Sequence, residues 1–572
     1  MARPRESSKL RLISAYEPRT AAGGVTPWVF YPALVLIAGI SVLTIAYPDE
    51  AGEVLSTIQN GIVGTFGWYY VLIVALFVVV SIWLGVSRFG GITLGKDNEG
   101  AEFSLKAWFA MLFAAGMGIG LVFFGAAEPL MHYDSPKPGI ELGEAADDRG
   151  FGAEGIGSAG ADLADDAMAQ TFVHWGVHAW AIYVVVGLSL AYAIHRKGRP
   201  VSIRWALEPL LGARRVRGWL GDVIDVVAIL GTLFGVATSL GIGVQQIGSG
   251  LVSMGVIGEA GDGVLVLLIA IITAIATISV VTGVHRGIRW LSNVNLVLAA
   301  VFVVFIAIVG PTLFFFREFV QSLGVYVQNV LPFTFETTTY MGQAGQDWQS
   351  SWTVFYWGWW MSWAPFVGIF IARISRGRTI REFVAGVLVV PTLVTFVWFT
   401  VLGGSSLYQH LFGEGGLVNR ESDDPFERVV PENALFNMLE GLPWSGILML
   451  IAVVMVTIFF ITSSDSGSLV VDMLASGGDT EPPTWSRVLF CVLEGVVAAS
   501  LLLAGGLEAL RTGAITTALP FSVVILLMLA ATYRSLRAEH LVLRAASRRK
   551  EREELERHVS RQMTSESSGS PG

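Results

Sequence analysis

Apolar segments separated by short polar ones recur along the chain near 27–47, 66–86, 104–126, 169–195, 219–247, 261–284, 290–316, 350–373, 383–405, 444–466, 486–505 and 514–533. Each is long enough to cross a hydrocarbon core of ~30 Å at about 1.5 Å per helical residue. The pattern predicts an all-α polytopic membrane protein with twelve transmembrane helices. Two further stretches, 202–215 (SIRWALEPLLGARR) and 317–330 (REFVQSLGVYVQNV), mix apolar and polar residues at helical spacing, as helices lying at an interface do.

The basic residues orient these spans. Arg196, Lys197, Arg199, Arg204, Arg214, Arg215 and Arg217 follow the fourth span, Arg286 and Arg289 the sixth, and Arg373, Arg376, Arg378 and Arg381 the eighth. Both ends of the chain are basic too, whereas odd-numbered connections such as YPDEAGEVLSTIQNG (47–61) are acidic or nearly free of Lys and Arg. The positive-inside rule then places both termini in the cytoplasm, in keeping with an even number of spans. The expected organisation is a polar tail (1–26), two peripheral helices (27–103), a five-helix unit (104–316), an interfacial helix and loop (317–349), a second five-helix unit (350–533) and a charged tail (534–572). An odd number of helices per unit makes the two units opposite in orientation.

Composition agrees: 53% of the 572 residues are hydrophobic and 15% charged, against about 25% charged in soluble chains. Mean hydropathy is +0.62. The polar start lacks an apolar core with a small-residue cleavage site and reads as a cytoplasmic tail, not a signal peptide. Net charge is −9. Many acids crowd a region read as a loop, 128–166: Glu128, Asp134, Glu141, Glu144, Asp147, Asp148, Glu154, Asp162, Asp165 and Asp166. A high-salt exterior and genomic bias both account for it. Cys491, the single cysteine, excludes an intramolecular disulfide and reads as packing. No nucleophile–base or metal-ligand cluster stands out within the spans, so neither an enzyme nor a nucleic-acid-binding reading has support.

Two spans look broken. The third holds GMGIG (116–120), whose glycines either let another helix approach or unwind the helix and free carbonyls for an ion or substrate. The eighth is interrupted by Gly358 and Pro365, and paired interruptions in two halves point to an inverted-repeat transporter. The tenth ends FFITSSDSGS (459–468), offering hydroxyls from Thr462, Ser463, Ser464 and Ser466. Asp465 there suits a gate or helix cap as well as it suits ion binding.

The eighth span also carries FYWGWWMSWAPF (355–366). At about 100° per residue, Trp359, Trp360 and Trp363 share roughly a third of the helix, with Trp352, Tyr356 and Phe366 on or beside that arc and Trp357 facing away. Tryptophans in mid-span are no interfacial belt. A packed aromatic core is the plain alternative, but so dense a stripe suits a ligand wall. Electron-rich ring faces select quaternary ammonium groups, which carry no N–H to donate. In the fourth span, HWGVHAWAIY (174–183), Trp175, Trp180 and Tyr183 cover about 140° of one face. His174 and His178 beside them read as hydrogen-bonded structural residues.

These motifs resemble the betaine/carnitine/choline transporter family over nearly the whole chain. The resemblance implies a LeuT-type core of two inverted five-helix repeats (helices 3–7 and 8–12), commonly in a homotrimer, that imports trimethylammonium compounds. It implies a substrate box of Trp175, Trp180, Tyr183, Trp359, Trp360 and Trp363, with Met117 and Gly120 beside it. In Na⁺-coupled members one sodium site would use carbonyls of Ala114, Met117 and Phe459 with the hydroxyls of Thr462 and Ser463. A second would use Thr232 and Phe366, but Val236 stands where the family has another threonine. Glycine at 120, where Na⁺-independent choline or carnitine carriers tend to have aspartate, resembles the Na⁺/betaine subgroup, since a carboxylate there would repel that of betaine. The implied function is Na⁺-driven uptake of glycine betaine for osmoprotection; the alternatives are H⁺-coupled choline uptake, carnitine-type exchange, or a channel or sensor. The basic tail, with Arg548, Arg549 and Lys550, suits either a solvated helix or contact with anionic lipid.

Overall fold

The computed structural model describes residues 24–97, 99–139, 158–282, 285–413, 416–419, 422 and 424–567. The tail 1–23 and Glu141, Glu144, Asp147, Asp148 and Glu154 of the acidic region lie outside them. Among the described residues every regular element is a helix, apart from one antiparallel bridge between Thr93 and Thr379.

The chain opens with α1 (Pro27–Ala46) and α2 (Pro48–Val86), then α3 (Leu105–Gly116) and α4 (Ile119–Asp134). Next come α5 (Ser158–Trp175), α6 (Val177–Ala191), α7 (Trp219–Ser253), α8 (Asp262–Thr282), α9 (His285–Val309) and α10 (Thr312–Thr334). The second half holds α11 (Gly342–Ser351), α12 (Thr353–Ile374), α13 (Ile380–Phe412), α14 (Pro431–Glu440), α15 (Ser445–Ala475) and α16 (Thr484–Ser567). By length and apolarity nine described helices can cross a membrane, or ten with the bent pair α3–α4. This multi-pass pattern has fewer qualifying spans than predicted for two reasons. Tryptophans and tyrosines dilute the hydropathy of α12. The last two apolar segments are joined in α16, which leaves helical geometry only at Gly505 and Gly506. Gly506 (φ +56°, ψ −131°) takes a conformation that side-chain-bearing residues avoid.

The local chemistry explains several boundaries. Pro48 in the first turn, followed by Asp49 and Glu50, starts α2 eighteen residues before the predicted span, so the expected loop 47–61 is helical beyond Tyr47. Thr379 and Glu382 form a reciprocal capping box that starts α13. The predicted interfacial helix 202–215 is instead three short helices, Ile203–Ala206, Glu208–Leu211 and Ala213–Val216, the first of them buried. Pro209 and Gly212 (φ +81°) interrupt it. By contrast, 317–330 falls within α10, which exposes Leu313, Phe316, Val320, Val327 and Leu331. The seventh span stops at Val309, so its predicted end already belongs to α10.

Two corrections bear on function. Glu128 and Asp134 are not in a loop: α4 runs to Asp134 and every residue of it is buried. Nor is the eighth span interrupted, because α12 is continuous through Gly358 and Pro365. Gly358 serves close packing, since a Cβ there would lie 3.0 Å from the Ile515 Cα. The break falls before the helix, at Trp352 (φ −123°, ψ −91°). In the interior α7 packs along α15 and α16, and α12 is held between α6, α7 and α16. The outward faces of α1, α8 and α9 remain largely exposed and aliphatic.

Candidate functional site

The GMGIG segment contains both a break and close packing. Beyond Gly116, Met117 (φ −91°, ψ 127°) and Gly118 (φ −163°, ψ −179°) are extended, and α4 departs from α3 at 64°. A Cβ at Gly120 would lie 2.5 Å from Trp359 Cη2 and 3.0 Å from Trp175 Cη2. At Gly116 it would lie 3.2 Å from Trp180 Cζ2, while at Gly118 it would meet nothing within 4 Å. The outer glycines therefore admit indole rings, and the middle one sits in the break.

Around that break the structure gathers Trp175, Trp180, Tyr183, Trp359, Trp360 and Trp363 with Met117 and Gly120 on one cavity of about 50 Å³. One or two waters fill such a volume, so a trimethylammonium compound requires the rings to part. Trp359 and Trp360 stack with centroids 4.8 Å apart, and Trp175 meets Trp360 edge-on at 4.9 Å. Trp180 and Tyr183 form a separate edge-on pair at 5.3 Å. Trp363 packs edge-on against Phe366, and its buried Nε1 has no hydrogen-bond partner among the described residues. The first turn of α4 lines the same cavity with Ile119, Gly120 and Leu121, and no side chain caps it. Its N–H groups lack intrahelical acceptors and carry the positive end of the helix dipole. One wall thus offers π faces to a cation, and one end offers N–H groups to an anion.

Trp357 looks away from the cavity, stacked on His178 at 5.5 Å. His178 bonds Thr334 Oγ1 through Nε2 at 2.8 Å, in a structural role. Tyr356 stacks on Trp360 but turns its hydroxyl elsewhere.

The residues considered for Na⁺ are more dispersed. Ala114 and Met117 lie at the end of α3, and Phe459, Thr462 and Ser463 on α15; no hydrogen bond joins the two sets among the described residues. Thr462 donates to the Ile458 and Phe459 carbonyls of its own helix. Thr232 likewise donates to the Ala228 carbonyl, beside a fully buried Val236. Phe366 touches Trp363 and stands outside the cavity wall. Asp465 pairs with Arg487 at 2.9 Å.

What the sequence did not reveal is the support behind the box. Glu128, fully buried on α4, accepts from Trp175 Nε1 (2.6 Å), from the Tyr356 hydroxyl and from His174 Nδ1 (2.7 Å), with His132 Nε2 at 3.4 Å. His174 Nε2 faces Gln170 (3.0 Å) and Thr353 (3.1 Å), which fixes the tautomer with the proton on Nδ1 when Gln170 donates. Trp360 Nε1 donates to the His174 carbonyl at 2.9 Å, and Trp359 Nε1 lies 3.3 Å from Ser239 Oγ. The one signal available in the sequence was the i, i+4 pair Glu128 and His132 in AEPLMHY, at the end of an apolar run.

A multi-pass helical protein whose broken helix and aromatic wall enclose one internal cavity has the build of a small-molecule transporter. Residues 28–541 match the profile of the betaine/carnitine/choline family transporters, and the chain belongs to that family. It is 49% identical over 531 residues to an uncharacterized transporter of Mycobacterium tuberculosis (92% of this chain, 85% of that one). It is 42% identical over 520 residues to a glycine betaine transporter of Bacillus subtilis (91% and 96%). It is 40% identical over 493 residues to a glycine betaine/proline/choline transporter of Vibrio parahaemolyticus (85% of each).

Proposed function

We propose that the protein imports glycine betaine, or a similar zwitterionic trimethylammonium osmolyte, by Na⁺ symport. The observation that carries this reading is the pairing, on one cavity, of an aromatic wall with an uncapped helix N-terminus. Trp175, Trp359, Trp360, Trp363, Trp180 and Tyr183 hold the trimethylammonium group, a desolvated cation–ring pair being worth about 2 kcal/mol or more. The first turn of α4 receives the carboxylate. Gly120 keeps that end free of a competing acid.

Na⁺ binds between the carbonyls of Ala114, Met117 and Phe459 and the hydroxyls of Thr462 and Ser463. Because Thr462 spends its proton on its own helix, its lone pairs stay available to a cation. Thr232 and Phe366 form a weaker second station, with Val236 contributing no oxygen. The chain crosses the membrane twelve times in two inverted repeats, with both termini in the cytoplasm, and assembles as a homotrimer. Uptake of labelled betaine, ectoine, proline, choline and carnitine into proteoliposomes, with and without a Na⁺ gradient, tests this. Betaine should accumulate only with the gradient, and Trp360→Leu or Trp363→Leu should abolish it without loss of expression. Na⁺-independent uptake, or preference for choline, overturns the reading.

A further inference from the structure

One buried acid takes no part in the cavity. Glu494 is fully buried in the portion of α16 before Gly505. Its Oε2 accepts from Ser464 Oγ of α15 at 3.0 Å, while Oε1 has no hydrogen-bond partner among the described residues. Gly467 makes room for it: a Cβ there would lie 3.0 Å from Oε1 and 3.1 Å from Val236 Cγ2 of α7. The carboxylate therefore sits where α7, α15 and α16 meet.

The charges around it do not balance. Arg487, two turns earlier on α16, donates through Nη2 to Asp465 Oδ1 (2.9 Å) and to the Asp465 carbonyl (3.2 Å). Asp472, further along α15, accepts from Ser486. Cys491, one turn before Glu494, is a thiol 3.5 Å from both Ser464 and Thr277. From α7 the facing group is Val236, and from α8 Thr273 and Thr277, none of them charged. Arg487, the guanidinium nearest this junction, is committed to Asp465, which leaves the Ser464 hydroxyl as the hydrogen-bond partner of Glu494 among the described residues. A carboxylate with an unfilled oxygen at membrane depth demands a positive partner.

We propose that Glu494, with Ser464, binds one monovalent cation, Na⁺ or a proton, at the α7–α15–α16 junction. The proposal rests on reading the chain as a cation-driven transporter and adds a station outside the substrate cavity. A carboxylate and a hydroxyl are hard oxygen donors suited to Na⁺, and a proton on Oε1 would neutralise the same group. Either one removes a buried charge between α15 and its neighbours, so occupancy favours their close packing.

The test is betaine uptake by the full-length protein in proteoliposomes across a range of Na⁺ concentrations (K⁺ replacing Na⁺) and across pH, in wild type and Glu494→Gln. If the ligand is Na⁺, the variant needs roughly tenfold more Na⁺ for half-maximal uptake at an unchanged pH profile. If it is a proton, the Na⁺ curve is unchanged and the wild-type pH dependence flattens. A variant that keeps both wild-type curves overturns the proposal. Should Glu494→Gln fail to fold, Glu494→Asp and Ser464→Ala decide by the same two curves, and wild-type behaviour of both again overturns it. A wild type insensitive to both Na⁺ and pH refutes cation coupling itself, a failure visible before any variant is made.

Discussion

Replacing Glu128 by Gln tests whether the aromatic box depends on the acid behind it. Glu128 receives three donors, the Trp175 indole, the Tyr356 hydroxyl and His174 Nδ1, over two oxygens. Glutamine has one acceptor oxygen and presents an NH₂ where the second stood. Tyr356 can rotate its hydroxyl to accept, but an indole N–H can only donate. The amide must therefore face His174, which forces the other tautomer and a flip of Gln170. Hydrogen bonds to a charged group contribute about 1.5–3 kcal/mol each against about 0.5–1.5 kcal/mol for neutral ones, so the bond that Trp175 keeps to the amide oxygen weakens by about 1 kcal/mol. That weakening loosens the orientation of Trp175, which meets Trp360 in the cavity wall, and corresponds to a roughly fivefold weaker betaine Kd. Quenching of tryptophan fluorescence by betaine, titrated in the purified protein, measures it. Glu128→Ala should in addition lower the melting temperature, because three buried donors lose their acceptor. Wild-type betaine affinity in Glu128→Gln would refute the argument.

Gly120→Ala places a methyl 2.5 Å from Trp359 Cη2, and such overpacking costs about 1–3 kcal/mol. Thermal melting should show a loss of several degrees for this variant and almost none for Gly118→Ala, where a Cβ meets open space. Glu539 of α16 accepts from the Tyr192 hydroxyl (as a short contact), from Arg196 Nε at 2.6 Å and from Lys197 Nζ at 3.2 Å. Glu539→Gln should speed amide hydrogen exchange in the segment around 534–545 with little effect on betaine affinity, and unchanged exchange would show that this contact does not hold the tail.

The legible parts of the fold and site were those written in local periodicity. The recurring apolar runs gave the helices, and the spacing of Trp359, Trp360 and Trp363 gave the shared face, because both depend only on residues a turn or two apart. GMGIG allowed either close packing or a break on the same local ground, and the structure has both. Glu128 was misread because a charge at the end of an apolar run looks like the start of a loop. What keeps it buried is a set of partners 46 to 228 positions away. Gly358 and Pro365 misled in the opposite direction: their effect depends on whether a neighbour such as Ile515 needs the space, which no local pattern records. Residues 202–215 failed because Pro209 and Gly212 outweighed a helical spacing of apolar residues.

The length of α16 carries a mechanical consequence. Beyond Gly506 the last apolar segment and the charged tail are one helix, reaching Ser567. Residues 534–567 extend it by about 50 Å at 1.5 Å per residue. A stiff rod of that length works as a lever: a tilt of ~5° at its base sweeps the tip through about 4 Å. Glu539, tied to Tyr192 and Arg196 near the base, stands where a fulcrum would. A small angular change in the last apolar segment therefore becomes a displacement at the far end of the tail, and a load on that end bears back on the span with the same mechanical advantage.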